Sequence, residues 1–256
     1  MRVAPTPAEA FERAVAEGQR RLDQSMIELL STGFIGGLTI IFGMVTLGTV
    51  EALLSEAPHD IGTLVGALAF APGVVFLVVG RAELFSENFF DPVAAIVNRY
   101  RPRMIAILIR LWVVTLVTNL AGGALFAWIL SLEGAMPEGA PEALVRAAEE
   151  IAARENMVFF VKAVAGGALV TLLSFLSQAV NTIGSRIVLA YMVGFMLVIG
   201  PFDHVVVTSL HVLFGIFFDA QVSYGEFFRC LLIVATGNAV GGLGLVTLTH
   251  IAQAKG

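Results

Sequence analysis

Gly80-Arg81-Ala82-Glu83, with Asn119-Leu120-Ala121-Gly122-Gly123 beginning 36 residues after its acid, is matched by Gly200-Pro201-Phe202-Asp203, with Asn238-Ala239-Val240-Gly241-Gly242 beginning 35 residues after its own. Each Gly-and-acid stretch interrupts a hydrophobic run, and each Asn opens an Asn-x-x-Gly-Gly run in the next one. In a membrane chain, a duplication that sets helix-breaking residues and an acid at matching depths points to a transport site built from broken helices at a repeat interface.

The surroundings of these stretches are those of an integral membrane protein. Hydrophobic residues make up 57% of the chain, charged residues 14%, and the mean hydropathy is +0.88, whereas about a quarter of a soluble domain is charged. A spanning helix needs about 20 mostly apolar residues, and the apolar runs fall near 27–53, 61–98, 104–132, 157–181, 186–218 and 226–251. The predicted fold is therefore all-α with six transmembrane helices. The second and fifth runs exceed one straight crossing and carry their Gly and acid mid-run, so each divides into two half-helices. Three crossings per half is an odd number, which makes the halves inverted three-helix repeats. Non-helical backbone at bilayer depth is tolerated only where it lines a cavity or is buried in protein, so the breaks imply a lined pore.

Residues 1–25 are polar, no cleavable signal peptide is expected, and Thr6-Pro7-Ala8-Glu9 reads as a capping box with Pro at the first helical position. They form an expected amphipathic N-terminal helix at the cytoplasmic membrane surface, with 26–256 as the channel domain. Basic residues orient the chain. Nine fall on one side, at Arg2, Arg13, Arg20, Arg21, Arg99, Arg101, Arg103, Arg186 and Lys255, against Arg146 and Arg154 on the other, which places both termini in the cytoplasm. The loop 133–156 joins the halves, carries a helix-prone stretch from Pro141 to Glu150, and supplies most of the net charge of −5. One cysteine, Cys230, excludes an internal disulfide and reads as a small apolar group.

Ionisable groups within spans cost about 2.5–3.5 kcal/mol each on insertion scales and are functional candidates by default. Here they are Arg81, Glu83, Glu87, Arg110, Lys162, Asp203, His204, His211 and Arg229. Arg110, Lys162 and Arg229 lie near span ends and could snorkel to the interface; Arg81 and Glu83 could pair with one another. Ser86 and Asn88 are good N-caps for a restarting half-helix, whose free N–H groups and partial positive charge favour an anion. Asn119 and Asn238 are better suited to hydrogen-bond broken backbone than to touch a solute, and their neighbouring glycines to let helices approach. His204 follows Asp203 at the fifth-run break, and an unperturbed pKa near 6.5 suits proton exchange. His211, two turns on, either packs or lines a vestibule. No H-E-x-x-H or related spacing suggests a metal, no G-x-x-x-x-G-K-[ST] a nucleotide-driven pump, and no basic tract a nucleic acid. Neither cofactor nor enzymatic activity is expected.

These residues resemble the formate/nitrite transporter family from about residue 19 onward. Gly80-Arg81-Ala82-Glu83-Leu84-Phe85-Ser86 is similar to its second-helix loop motif, Pro201-Phe202-Asp203-His204 to its fifth-helix F-(E/D)-H, and Thr236-Gly237-Asn238-Ala239-Val240-Gly241-Gly242 to its sixth-helix G-N-x-x-G-G. The resemblance implies an aquaporin-like protomer in a homopentamer of the inner membrane, among lipids, with a pore in each protomer for small monovalent anions such as formate, nitrite or hydrosulfide. By it His204 matches the central pore histidine, with Leu84 and Ser86 beside it and Thr208 just beyond. Phe70, Val74 and Leu197 fall at the cytoplasmic apolar constriction, and Lys162 looks like the basic residue drawing anions into the outer vestibule. Glu83, Asp203, Asn119 and Asn238 support the broken helices. Ser86 stands where Thr is usual, Thr171 where Asn is expected, and Glu87-Asn88 and Arg81 add polar groups at the first break. The expected mechanism is that the anion takes up a proton near His204 and crosses as a weak acid. The competing readings are a channel for water or small neutral solutes, and a non-conducting scaffold or sensor.

Overall fold

The computed structural model describes residues 5–256; Arg2, counted above among the basic residues, lies outside them. The described residues form helices joined by turns and loops, with no strand. In chain order the helices are α1 (Pro7–Leu22), α2 (Met26–Leu53), α3 (His59–Val79), α4 (Asp91–Asn98), α5 (Pro102–Leu130), α6 (Ala140–Ala152), α7 (Asn156–Ala179), α8 (Ile183–Ile199), α9 (Val205–Phe217), α10 (Tyr224–Ala239) and α11 (Leu248–Lys255). A 3₁₀ turn, Phe85–Phe89, precedes α4, and a π-helical stretch, Val240–Thr247, joins α10 to α11.

Local chemistry sets the ends. Thr6 and Glu9 form the capping box of α1, Ser223 and Glu226 that of α10, and the Ser25 hydroxyl accepts from the Glu28 amide at the start of α2. Among the described residues five helical stretches are long and apolar enough to cross a membrane: α2, Asp60–Val79, α5, α7 and Tyr224–Lys255. α8 and α9 are shorter apolar helices. The chain is a multi-pass membrane protein.

Ile109, Val113 and Val117 follow one another at four-residue spacing along α5 and are all more than half exposed. A soluble monomer would not leave such a stripe uncovered; acyl chains or a neighbouring subunit suit it. The inward faces hold Phe70, Phe89, Phe159 and Phe214, each fully buried. α3 ends at Val79 and α8 at Ile199, and neither continues directly into the next helical segment. Gly80–Leu84 and Gly200–His204 are the intervening non-helical stretches.

Candidate functional site

Unpaired backbone at membrane depth is the energetic problem each break poses, and one side chain per break answers it. Asn119 Nδ2 donates to the carbonyls of Gly33 (2.7 Å) and Glu83 (2.8 Å), while its Oδ1 accepts from the Phe85 amide (3.1 Å). Asn238 Nδ2 donates to the carbonyls of Ala163 (2.7 Å) and Asp203 (2.8 Å), and its Oδ1 accepts from the Val205 amide (2.8 Å). The acids' own amides follow suit, Glu83 donating to the Thr32 carbonyl and Asp203 to the Lys162 carbonyl, both at 3.2 Å. Glycines make the approach possible. A Cβ on Gly36 would lie 2.5 Å from the Glu83 carbonyl oxygen, and one on Gly166 2.2 Å from that of Asp203.

Ser86 and Asn88 do not cap a restarting helix. They lie inside the 3₁₀ turn, and both it and α9 begin without a side-chain cap of their own. The first amides of both segments go instead to Asn119 and Asn238, side chains from other helices. Ser86 Oγ donates to Asn238 Oδ1 (3.3 Å), so one asparagine ties the first break to the second, and Thr171 Oγ1 donates to the Ser86 carbonyl (3.2 Å).

Between the two residues that Asn238 grips sits His204, 1% exposed, with neither ring nitrogen bonded to any described residue. Leu84 occupies the matching place at the first break and is 2% exposed. Thr208, whose amide donates to the His204 carbonyl (2.8 Å), and Ser209, whose buried hydroxyl has no partner among the described residues, follow on α9. The His211 ring stacks on Phe70 (6.4 Å, 23°), and its Nδ1 lies 3.2 Å from the Val207 carbonyl. Phe70, Val74 and Leu197 are buried where α3 and α8 meet; a Cβ on Gly194 would stand 2.8 Å from Ala71 Cα and 3.1 Å from Val74 Cγ2. Lys162 is half-buried beside the second break.

Arg81 does not pair with Glu83. That carboxylate is 1% exposed and faces Arg20 (3.1 Å) and Arg21 (3.5 Å) of α1. Arg21 also reaches Glu17 (3.2 Å), Asp91 (3.7 Å) and Asn88 Oδ1 (3.1 Å), and Asp91 accepts from Ser174 and Gln178. In α1, burial would raise the Glu17 carboxyl, but the Arg20 hydrogen bond and the charges of Arg21 and Arg20 outweigh it and hold the pKa at about 2. Across the molecule Arg154 bonds Asp203 Oδ1 (2.5 Å) and lies over the Phe159 ring (5.6 Å). Arg110 donates to the Leu22 and Gln24 carbonyls, and Arg229 to the Ala152 carbonyl and Asn156, so both fasten chain segments instead of snorkelling. Sequence reasoning missed the roles of Arg20, Arg21, Asp91 and Arg154, because their partners lie far away along the chain.

A sequence model of formate/nitrite transporters matches residues 8–252. The inner membrane protein YfdC of Escherichia coli (strain K12) is 23% identical over 253 residues, covering 98% of this chain and 80% of that protein. A solved FNT family ion channel superposes with a TM-score of 0.79 at 18% identity, over 95% of this chain and 98% of that one. A pentameric formate channel with formate bound gives 0.74 at 18% identity, over 93% and 97%. With the family pattern extending from α1 into α11 and the fold shared with such channels, this chain belongs to the formate/nitrite transporter family.

Proposed function

We propose that the protein carries small monovalent weak-acid anions such as formate or nitrite across the cell inner membrane, coupled to a proton exchanged near His204. It works by transport and not by catalysis. The observation that carries this reading is His204 itself: a buried imidazole at the centre of a break, with neither nitrogen bonded to any described residue. Buried polar groups are ordinarily satisfied, and one left unsatisfied in the membrane interior calls for a functional account.

The fold belonging to this function is six crossings in two inverted three-helix repeats, with residues 26–256 as the channel and 1–25 as a cytoplasmic helix docked on it. Support comes from the paired contacts, since Thr32, Gly36, Glu83 and Asn119 have the counterparts Lys162, Gly166, Asp203 and Asn238. Both termini face the cytoplasm by the distribution of Arg and Lys. Likeness to a pentameric channel and the exposed apolar stripe on α5 support a homopentamer in lipid.

Moving a bare anion past Phe70, Val74 and Leu197 has a desolvation cost of several kcal/mol even after relaxation. A protonated weak acid avoids most of it. Lys162 concentrates the anion at the outer mouth, His204 serves as the proton exchange point between Leu84, Ser86 and Thr208, and the neutral acid passes the constriction. Asn119, Asn238, Glu83 and Asp203 hold the backbone that places these groups.

The test is uptake of formate and nitrite into liposomes containing the protein at pH 5.5 and 7.5, with His204→Asn alongside. Faster uptake at the lower pH, with that dependence lost in the variant, is the expected result. A pH-independent wild type, or a variant that keeps the dependence, overturns the proton step. Water permeability without anion uptake would make this a neutral-solute channel.

A further inference from the structure

We propose that Arg81 and Arg186 form a second anion-binding site, a capture point for small oxyanions at the mouth of the pathway opposite Lys162. A cavity of about 310 Å³ opens between the C-terminal end of α3 and the N-terminal end of α8, lined by Val78, Arg81, Asn181, Thr182 and Arg186. Both arginines also line the adjoining polar cavity that contains Glu83, Glu87 and Asp91. Two guanidinium groups from different elements converging on one cavity suit a planar oxyanion, which each can grip through two N–H donors.

Neither guanidinium is spoken for. Arg13, Arg20, Arg21, Arg110, Arg154 and Arg229 all bond carbonyls, amides or carboxylates, whereas no described residue accepts from the side chain of Arg81 or Arg186. The nearby acids do not neutralise the pair directly, because Glu17, Glu83 and Asp91 are engaged by Arg20 and Arg21. Glu87 is the remaining carboxylate facing this cavity system.

Position gives the pair its use. α3 and α8 run antiparallel here: Val78 and Arg81 share the cavity with Thr182 and Arg186, while Val74 lies against Gly194 farther in. Arg186, Ala190, Val193 and Leu197 fall at helical spacing along one stripe of α8, so the stripe leads from the guanidinium to the constriction. Phe70 then stacks on His211, beyond which lies the second break.

Arg81 has a second mark. Its φ of 55° lies in the left-handed region that favours glycine, yet a long cationic side chain occupies it. Strained backbone of this kind collects at functional sites.

This site rests on the permeation reading above, and the experiment separates the two. Formate uptake into liposomes is measured against formate concentration and ionic strength for the full-length protein, Arg81→Gln, Arg186→Gln, the double variant and the Arg→Lys forms. Arg81→Gly serves as the fold control, since glycine accepts that backbone. The double variant should raise the half-saturating concentration about tenfold and flatten the salt dependence while retaining the maximal rate, with Lys restoring part of each. Arg81→Gly should be no less heat-stable than the parent yet lose affinity. If the parent transports with the expected His204 dependence and the arginine variants match it, this inference fails and the permeation reading stands. If the parent carries no anion, the permeation reading fails, and thermal stabilisation by formate decides the site: absent in the parent, or unchanged in the double variant, it sinks the site as well.

Discussion

At the first break Asn119 grips Glu83 and Phe85 with Leu84 between them; at the second Asn238 grips Asp203 and Val205 with His204 between them. The backbone bonds are the same and the side chains they display are not. Thr32 is the counterpart of Lys162, and the arginines that neutralise the two acids come from unrelated places, α1 in one case and the link between α6 and α7 in the other. What the duplication keeps is the solution to interrupted helices in lipid. What it leaves different is the polarity along the path, and that difference is where the proposed selectivity and proton exchange lie.

The largest effect should come from the shared element. Asn238→Leu strands the Val205 amide, the Asp203 carbonyl and Ser86 Oγ, and each buried group left unsatisfied costs about 1–3 kcal/mol. Asn119→Leu strands the Phe85 amide and Glu83 carbonyl but nothing from the opposite break. Thermal unfolding in detergent should therefore rank Asn238→Leu below Asn119→Leu, and both well below the parent. Equal losses would mean that the Ser86–Asn238 bond does not join the breaks.

Next come the arginines, where the two breaks should part company. Arg21 has a side chain 12% exposed and faces three carboxylates, so Arg21→Gln leaves buried charge uncompensated at a cost of about 3–5 kcal/mol. The Arg154 side chain is 27% exposed and meets one acid, so Arg154→Gln should cost about 1 kcal/mol. Similar melting temperatures for the two variants would erase this distinction.

These arginines also mark where the sequence stops being legible. The duplicated Gly, acid and Asn could be read directly because their spacing is a one-dimensional signal, and the Thr6–Glu9 capping box because it spans three residues. Arg20 to Glu83 spans 63 residues and Arg154 to Asp203 spans 49, and nothing in either local sequence specifies the partner. Arg81 sits two residues from Glu83, close enough in sequence to pair with it, but Arg81 has a left-handed backbone and its guanidinium lines the cavity beside Arg186. The π-helical stretch after Asn238 was equally hidden, because Gly241-Gly242 reads as close packing in an ordinary helix.

Exchanging the central side chains tests the polarity difference itself. His204→Leu makes both breaks apolar. A hydrogen bond to a charged group is worth about 1.5–3 kcal/mol, so formate flux should fall roughly ten- to a hundredfold and lose its pH dependence. Leu84→His in that background moves the imidazole to the other break, gripped by Asn119. Recovery of pH-dependent flux would show that depth alone matters, whereas continued silence would tie the function to the second break.

The smallest expected effect concerns the acid side of α1, which has no counterpart at the second break. Glu17 faces Arg20 and Arg21, which themselves face Glu28, Glu83 and Asp91. Its folded pKa of about 2 lies below the ordinary 4.5. The lower folded value means that the ionised carboxylate stabilises docking; that contribution is complete above about pH 4.5 and disappears as the pH falls through 2. After solvent screening it should be on the order of 1 kcal/mol. Cleavage of the 23–25 turn by an acid-active protease should be slower in the parent than in Glu17→Gln at pH 5, and the two rates should converge near pH 2. A constant ratio across that range would mean that Arg20 and Arg21 secure α1 through Glu83 and Asp91 alone, leaving Glu17 a bystander to the latch on the first break.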